Sequence, residues 1–172
     1  MKKNIKIILL IYVIIIIRIT LFPINPVIRI QLSFIDYNLI PFQFLKGGFD
    51  KIQYFLSPEH TYSINIIAST LIDMYKNFAC NILLFCPLGF LLPMLYEINN
   101  RLKRIIVISF ASSVSIEVLQ LIIIITTITP GRAFDIDDII ANTIGGIIGF
   151  YFFVICNKFY KKKLLNRETL HP

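Results

Sequence analysis

The sequence has little charge, no tryptophan, three cysteines and two histidines among its 172 residues. Charged residues make up 16% of the chain, against about 25% in a typical soluble domain, and hydrophobic residues make up 56%. So few polar residues cannot cover a soluble globule. An odd number of cysteines implies no disulfide framework, and the isolated His60 and His171 lack the spacing of a zinc site. We therefore expect an integral membrane protein with no cofactor and no metal.

Four long apolar runs make up most of the chain. Each run approaches the roughly 20 residues that a helix needs to cross about 30 Å of hydrocarbon. The second run contains Pro87 and Pro93, which predict a kinked or broken helix. The sequence thus indicates a single all-α transmembrane domain over residues 1–172. Its spans are expected at about 5–22, 79–96, 105–128 and 136–156, with a long loop over 23–78.

Basic residues divide unequally between the two sides of this four-span arrangement. Eleven stand before span one, between spans two and three or after span four, and five stand in the opposite loops. Cytoplasmic loops carry the excess of basic residues, so we expect the N- and C-termini in the cytoplasm. This orientation explains the net charge of +7 without a nucleic-acid partner. The loop over 23–78 then faces outward, and helical spacing over 62–78 predicts a helix lying on the membrane surface.

Polar residues inside the spans are the main functional signal. Glu117 lies roughly 18 Å along span three and shares a helical face with Ser113 and Gln120. We interpret this stripe as a buried polar centre, because ionisable residues within a bilayer generally mark functional sites. The alternative is an interhelical hydrogen-bonding site with a protonated Glu117. Arg18 lies at a similar depth in span one and is the candidate charge partner of Glu117, unless it extends to the outer interface.

A second group of polar residues opens span four. Asp135 is placed to cap this helix. Asp138 follows in the first turn, where the positive end of the helix dipole stabilises a carboxylate. Asp138, Asn142, Gly145 and Gly149 share one face, so an acid and an amide stand above a groove of small residues. Another helix can pack closely into such a groove. A cation site built from the acids and Asn142 is an alternative without diagnostic spacing.

Span two can add polar backbone groups to the same region. Pro87 leaves the carbonyl of Leu83 without its helical donor. Asn81 stands near the expected outer end of the span, level with the loop that contains Arg132. A kink without a binding role is an equally good interpretation.

Four motifs follow one another along the chain: Asn38-Leu-Ile-Pro41-Phe42, Asn81-x-x-x-Phe85-x-Pro87-Leu-Gly89, Glu117-x-x-Gln120 and Arg132-x-x-Asp135-x-x-Asp138-x-x-x-Asn142-x-x-Gly145-Gly146-x-x-Gly149. Together these motifs resemble the VanZ-like membrane protein family. The resemblance implies a protein of the Gram-positive cell envelope. The founding member of the family is associated with resistance to teicoplanin. Arg18 departs from the pattern, because the first span of this family is usually apolar there.

These observations lead to the hypothesis of a cytoplasmic-membrane protein with an outward polar pocket. The pocket would bind a membrane lipid, a lipid-linked envelope precursor or a lipoglycopeptide, with Arg132 on an anionic headgroup. The alternatives are a membrane enzyme, for which no nucleophile and base pair stands out, and a small proton-coupled transporter, for which no repeat is evident. We expect the pocket to contain Asn81, Glu117, Gln120, Arg132, Asp135, Asp138 and Asn142, and helix packing to involve Pro87, Gly89, Gly145, Gly146 and Gly149.

Overall fold

Four long helices form a transmembrane bundle. The computed structural model describes residues 2–21, 36–57, 62–96, 101–127 and 132–168. Four of the helices in these ranges are long and apolar enough to cross a membrane, which confirms the expected four-span architecture. The elements are α1 (Lys2–Leu21), β1 (Asp36–Asn38), α2 (Gln43–Phe55), α3 (Ile64–Leu95), α4 (Arg101–Thr127), β2 (Arg132–Asp135) and α5 (Ile136–Glu168).

Helix α3 is longer than the sequence suggested. Its 32 residues correspond to roughly 48 Å at 1.5 Å per residue, which exceeds the thickness of a bilayer core. The stretch over 62–78 is not a separate surface helix but belongs largely to the first half of α3. No glycine or proline interrupts the chain between Ile64 and Pro87, so nothing in this stretch ends the helix. Pro87 and Pro93 lie inside α3, and the kink at these positions stays a prediction.

Small residues allow α3 and α5 to pack backbone against backbone. A Cβ atom added to Gly149 would overlap the carbonyl oxygen of Cys86, and one added to Gly145 would overlap that of Ile82. From the Gly145 contact to the Gly149 contact, the position advances by four residues in each helix, so α3 and α5 run parallel. This packing fixes how far α5 is shifted along α3.

The other side of α5 packs closely against α4. A Cβ atom added to Gly146 would overlap the hydroxyl of Ser109, and one turn earlier in α5 the side chain of Asn142 contacts Ser113. The two helices therefore run antiparallel. A Cβ atom added to Gly89 of α3 would also overlap the carbonyl oxygen of Gly146. Helix α5 is thus held between α3 and α4 by residues with little or no side chain.

Helix α1 joins the bundle through two hydrogen bonds to the other spans. The hydroxyl of Tyr12 donates to the carbonyl of Leu84 at 2.6 Å, and Gln120 Nε2 donates to the carbonyl of Thr20 at 2.9 Å. The backbone acceptor for Tyr12 is the carbonyl of Leu84, and a polar role for the neighbouring carbonyl of Leu83 stays a prediction. The buried apolar core beside these contacts consists of Ile16, Phe85, Leu88, Leu92, Ile105 and Phe150.

The described part of the segment between α1 and α3 contains further structure beside the beginning of α5. Strand β1 pairs with β2 in parallel, with Asn38 opposite Asp135. Helix α2 packs on α3 through Phe44, whose ring stacks on Phe78 at 4.6 Å between centroids and meets Tyr75 edge-on at 5.7 Å. The segment that links spans one and two is therefore attached to both α3 and α5.

Substitution of Gly149 with leucine tests the contact between α3 and α5. We expect Gly149→Leu to lower the free energy of unfolding by about 1 to 3 kcal/mol or more, because the new side chain collides with backbone and not with a movable side chain. Thermal unfolding of the purified protein in detergent measures the effect. Ala111→Leu is the matched control, since it enlarges an exposed residue of α4. Equal melting temperatures for the two variants would contradict this description of the interface.

Candidate functional site

Four polar side chains meet at the beginning of α5, and we name Asn38, Glu117, Asp135 and Asp137 the polar cluster. The three carboxylates are almost fully buried, with exposed fractions of 4% for Glu117, 1% for Asp135 and 2% for Asp137. They come from α4, the end of β2 and the first turn of α5. Burial of three acids in one place is costly unless each finds hydrogen-bond donors.

The first donors are backbone N–H groups at the start of α5. The N–H of Asp135 donates to Glu117 Oε2 at 3.0 Å, and the N–H of Asp137 donates to Asp135 Oδ1 at 2.8 Å. The second bond is the helix cap that the sequence predicted for Asp135. Because N–H groups at a helix start have no partner within the helix, these carboxylates supply acceptors that are otherwise missing. The positive end of the helix dipole adds to their stabilisation.

Asn38 joins two of the carboxylates through its side-chain amide. Its Nδ2 atom donates to Asp135 Oδ1 at 2.8 Å and to Asp137 Oδ2 at 3.2 Å. Its Oδ1 atom accepts a hydrogen bond from the N–H of Ile40 at 3.0 Å, which closes a tight local turn. The pairing of β1 with β2 puts Asn38 opposite Asp135. One amide thus attaches the loop before α2 to the acids that begin α5.

Phe42 adds a further donor in a strained backbone conformation. Its N–H donates to Asp137 Oδ1, and its φ and ψ of 61° and 29° lie in the left-handed region. It is the one residue other than glycine with positive φ in the described ranges. An ordinary side chain pays roughly 1 to 2 kcal/mol for this conformation, and such strain concentrates at functional sites. The bond to Asp137 is a contact that offsets the strain.

From the cluster, a line of polar groups continues along the interface of α4 and α5, toward the C-terminal end of α5. Asn142 Nδ2 donates to Ser113 Oγ at 2.8 Å, one turn from Glu117 along α4. Ser109 lies one turn further and is fully buried. Within the described part of the chain, neither Asn142 Oδ1 nor Ser109 Oγ has a hydrogen-bond partner. Ile105, also fully buried, is the next residue on this face of α4.

The structure brings some of the expected pocket residues together and separates others. Glu117, Asp135 and Asn142 lie in or next to the polar cluster. Asp138 is half-buried in the first turn of α5. Gln120 reaches α1, where it donates to the carbonyl of Thr20, so it serves the contact between two spans.

Asn81 lies away from the polar cluster, and the structure describes only the backbone of Arg132. Asn81 directly precedes Ile82, whose carbonyl meets Gly145, so it lies more than two turns of helix below Asp135 and not level with the loop before α5. This displacement follows from the early start of α3. The backbone of Arg132 lies in β2 opposite Asp36, whereas its side chain is outside the described part of the structure.

Arg18 and Glu117 differ sharply in burial. Arg18 is exposed on α1, two positions from both Ile16 and Thr20, which face the bundle. Residues two apart point to different sides of a helix. Glu117 is buried and accepts the N–H of Asp135. The charge pair between Arg18 and Glu117 stays a prediction.

Asn38 and Asp137 were absent from the expected pocket. Asn38 belongs to the motif Asn38-Leu-Ile-Pro41-Phe42, and an asparagine just before a proline turn is a signal for a side chain that bonds locally to backbone. Asp137 stands between Asp135 and Asp138, which the sequence predicts for the pocket, but on a different face of the helix. Among the described residues, no group of three or more histidines, cysteines or acids is arranged to hold a metal ion. The acids are bridged by N–H donors.

Comparisons with known proteins agree with the motifs. The profile of the VanZ/LLP1 family matches residues 9–157, so the expected family resemblance is confirmed. The chain is also similar to Protein VanZ of Enterococcus faecium, with 28% identity over 111 residues. That match covers 64% of this chain and 65% of the relative, so the chain spans less than two thirds of the relative's length. No solved structure matches the chain.

Removal of the Asn38 amide tests the cluster. We expect Asn38→Ala to lower the free energy of unfolding by about 1 to 3 kcal/mol, because two buried carboxylates lose a shared donor. Protease cleavage within residues 36–57 should accelerate in parallel. Asn77→Ala is the matched control, since Asn77 is exposed on α3. A variant that unfolds and is cleaved like the control would show that Asn38 does not hold the loop.

Proposed function

The chain belongs to the VanZ/LLP1 family, and we propose that it lowers the susceptibility of a Gram-positive cell to teicoplanin. In this proposal it is a multi-pass protein of the cytoplasmic membrane. Its polar cluster and the groups below it bind a lipid-linked envelope precursor, a lipoglycopeptide or another lipoidal molecule with a polar headgroup.

The observation that carries the proposal is the burial of three carboxylates among membrane-spanning helices. A single acid and a single amide are enough to join two helices, and apolar residues of similar volume would do so at lower cost. The chain instead places Glu117, Asp135 and Asp137 together and arranges Asn38 and the strained Phe42 around them. Ionisable residues kept at such cost within a membrane protein favour a binding role.

The chemistry of these groups supports a particular kind of ligand. The cluster consists mainly of hydrogen-bond acceptors, and Asn142 Oδ1 and Ser109 Oγ add two buried polar atoms without partners in the described residues. Hydroxyl, amine or amide groups of a headgroup are the donors that would complement them. Arg132, three residues before Asp135 in the sequence, is the proposed contact for an anionic part of the same headgroup.

A proton-coupled transporter is less well supported than a binding protein. Transport requires polar groups from one membrane face to the other. In the described residues, the polar line of Glu117, Ser113 and Ser109 along α4 is followed by the fully buried Ile105. A membrane enzyme with Glu117 or Asp138 as a general base remains the second candidate, because a buried carboxylate is suited to proton transfer.

Expression in a glycopeptide-sensitive Gram-positive host tests the proposal. We expect the inhibitory concentration of teicoplanin to rise several-fold and that of vancomycin to change less. Glu117→Gln should remove the gain at an unchanged membrane level, since it replaces the carboxylate with a neutral group of similar size. Ser115→Ala is the control, because Ser115 is exposed on α4 and bonds only within its own helix turn among the described contacts.

Two outcomes would count against the proposal. Unaltered inhibitory concentrations for both drugs, with verified expression of the wild-type protein, would exclude a role in resistance in that host. Full resistance in cells that express Glu117→Gln would separate resistance from the polar cluster.

A further inference from the structure

Helix α2 carries an exposed apolar stripe although it lies outside the four spans. Leu45 and Phe49 in the helix and Leu56 directly after it have exposed fractions of 37%, 70% and 74%. Their spacing of four and seven residues puts them on one side of the helix. Large apolar side chains in such a row are not expected to face water.

Of the other two sides of α2, one packs on α3 and one is polar. Phe44 faces α3, where its ring contacts Phe78 and Tyr75. Gly48, one turn further along on the same side of α2, is buried. The polar side carries Gln43, Lys46, Asp50 and Gln53, all of which are exposed. The apolar stripe lies between these two sides, because each residue advances about 100° around a helix.

The length and charge of α2 exclude a membrane-crossing role. Its 13 residues measure roughly 20 Å, shorter than the approximately 30 Å of hydrocarbon that a spanning helix crosses. Lys46, Asp50 and Lys51 would also be placed in hydrocarbon if it did. A short helix with one apolar and one charged side is suited to the boundary between lipid and water.

We propose that α2 lies along the outer leaflet of the membrane and inserts Leu45, Phe49 and Leu56 among the acyl chains. Its polar side then faces the headgroups, where Lys46 is placed to contact lipid phosphates. In the first half of α3, Ile64 and Ile72 are also highly exposed, at 79% and 65%. Helix α2 packs through Phe44 on α3, which is one of the four helices long and apolar enough to cross a membrane, so the stripe lies beside a candidate span.

This placement has a consequence for the polar cluster. Helix α2 begins directly after Phe42, whose N–H bonds to Asp137. A helix anchored in the leaflet therefore holds the loop that contacts the cluster and fixes that loop at headgroup depth. The inference concerns the contact with lipid and is independent of the proposed ligand.

Tryptophan substitution tests the proposal. The chain has no tryptophan of its own, so the tryptophan fluorescence of each variant comes from one known position. Phe49→Trp reports on the apolar stripe, and Asp50→Trp on the polar side of the same helix turn is the matched control. Phe110→Trp is the lipid reference, since Phe110 is exposed on α4. Each full-length variant is reconstituted into phosphatidylcholine and phosphatidylglycerol vesicles, and its fluorescence is quenched by brominated acyl chains or by aqueous iodide.

The proposal predicts that brominated lipid quenches Phe49→Trp to a similar degree as Phe110→Trp and at least roughly twice as strongly as Asp50→Trp. Iodide should show the reverse preference. Quenching of Phe49→Trp by iodide and not by lipid would overturn the proposal. Protection of Phe49→Trp from both quenchers would also overturn it, because a second copy of the chain or another protein would then cover the stripe. Leu45→Trp replaces Phe49→Trp if the latter lacks the helical circular dichroism of the wild type.

Discussion

The beginning of α5 is the constraint on which the rest of the structure depends. A helix start has N–H groups without internal partners, and here it is buried by the rest of the protein, since Asp135 and Asp137 are only 1% and 2% exposed. Glu117 of α4 and the side chain of Asp135 accept two of these N–H groups. The acids that solve this problem are themselves costly to bury, so they require further donors, and Asn38 and Phe42 supply them. One demand of backbone chemistry thus places three distant parts of the chain at a single point.

Close helix packing makes this arrangement possible. Gly145 and Gly149 allow α5 to rest on the backbone of α3, and Gly146 allows it to approach Ser109 of α4. These contacts fix the position of α5 along α3 and α4. That position determines whether Asp135 meets Glu117, which lies one turn of α4 beyond the contact between Ser113 and Asn142. Packing and polar chemistry are therefore not separable in this bundle. A change in the helix packing therefore shifts the polar contacts, and a change in the polar contacts shifts the packing, because a close-packed interior transmits strain.

The sequence predicts the parts of this structure that depend on local pattern. Run length located the four spans, and the cost of an acid within a span identified Glu117. The bounds of α3 were less certain, because apolar residues with interspersed charges suit either a surface helix or a long span. The sequence does not predict the contact between Asn38 and Asp137, because it depends on pairing of β1 with β2 across almost a hundred residues. No periodicity within either segment encodes that pairing.

The most direct test of the account is amide hydrogen exchange of the reconstituted protein, wild type against Glu117→Ala. The central claim is that the Glu117 carboxylate holds the start of α5 through the N–H of Asp135. The account predicts faster exchange over residues 132–142 and 36–44 in Glu117→Ala, with Ser115→Ala unchanged from the wild type. Equal exchange over both segments in all three proteins would contradict it, because the cluster would then hold together without Glu117.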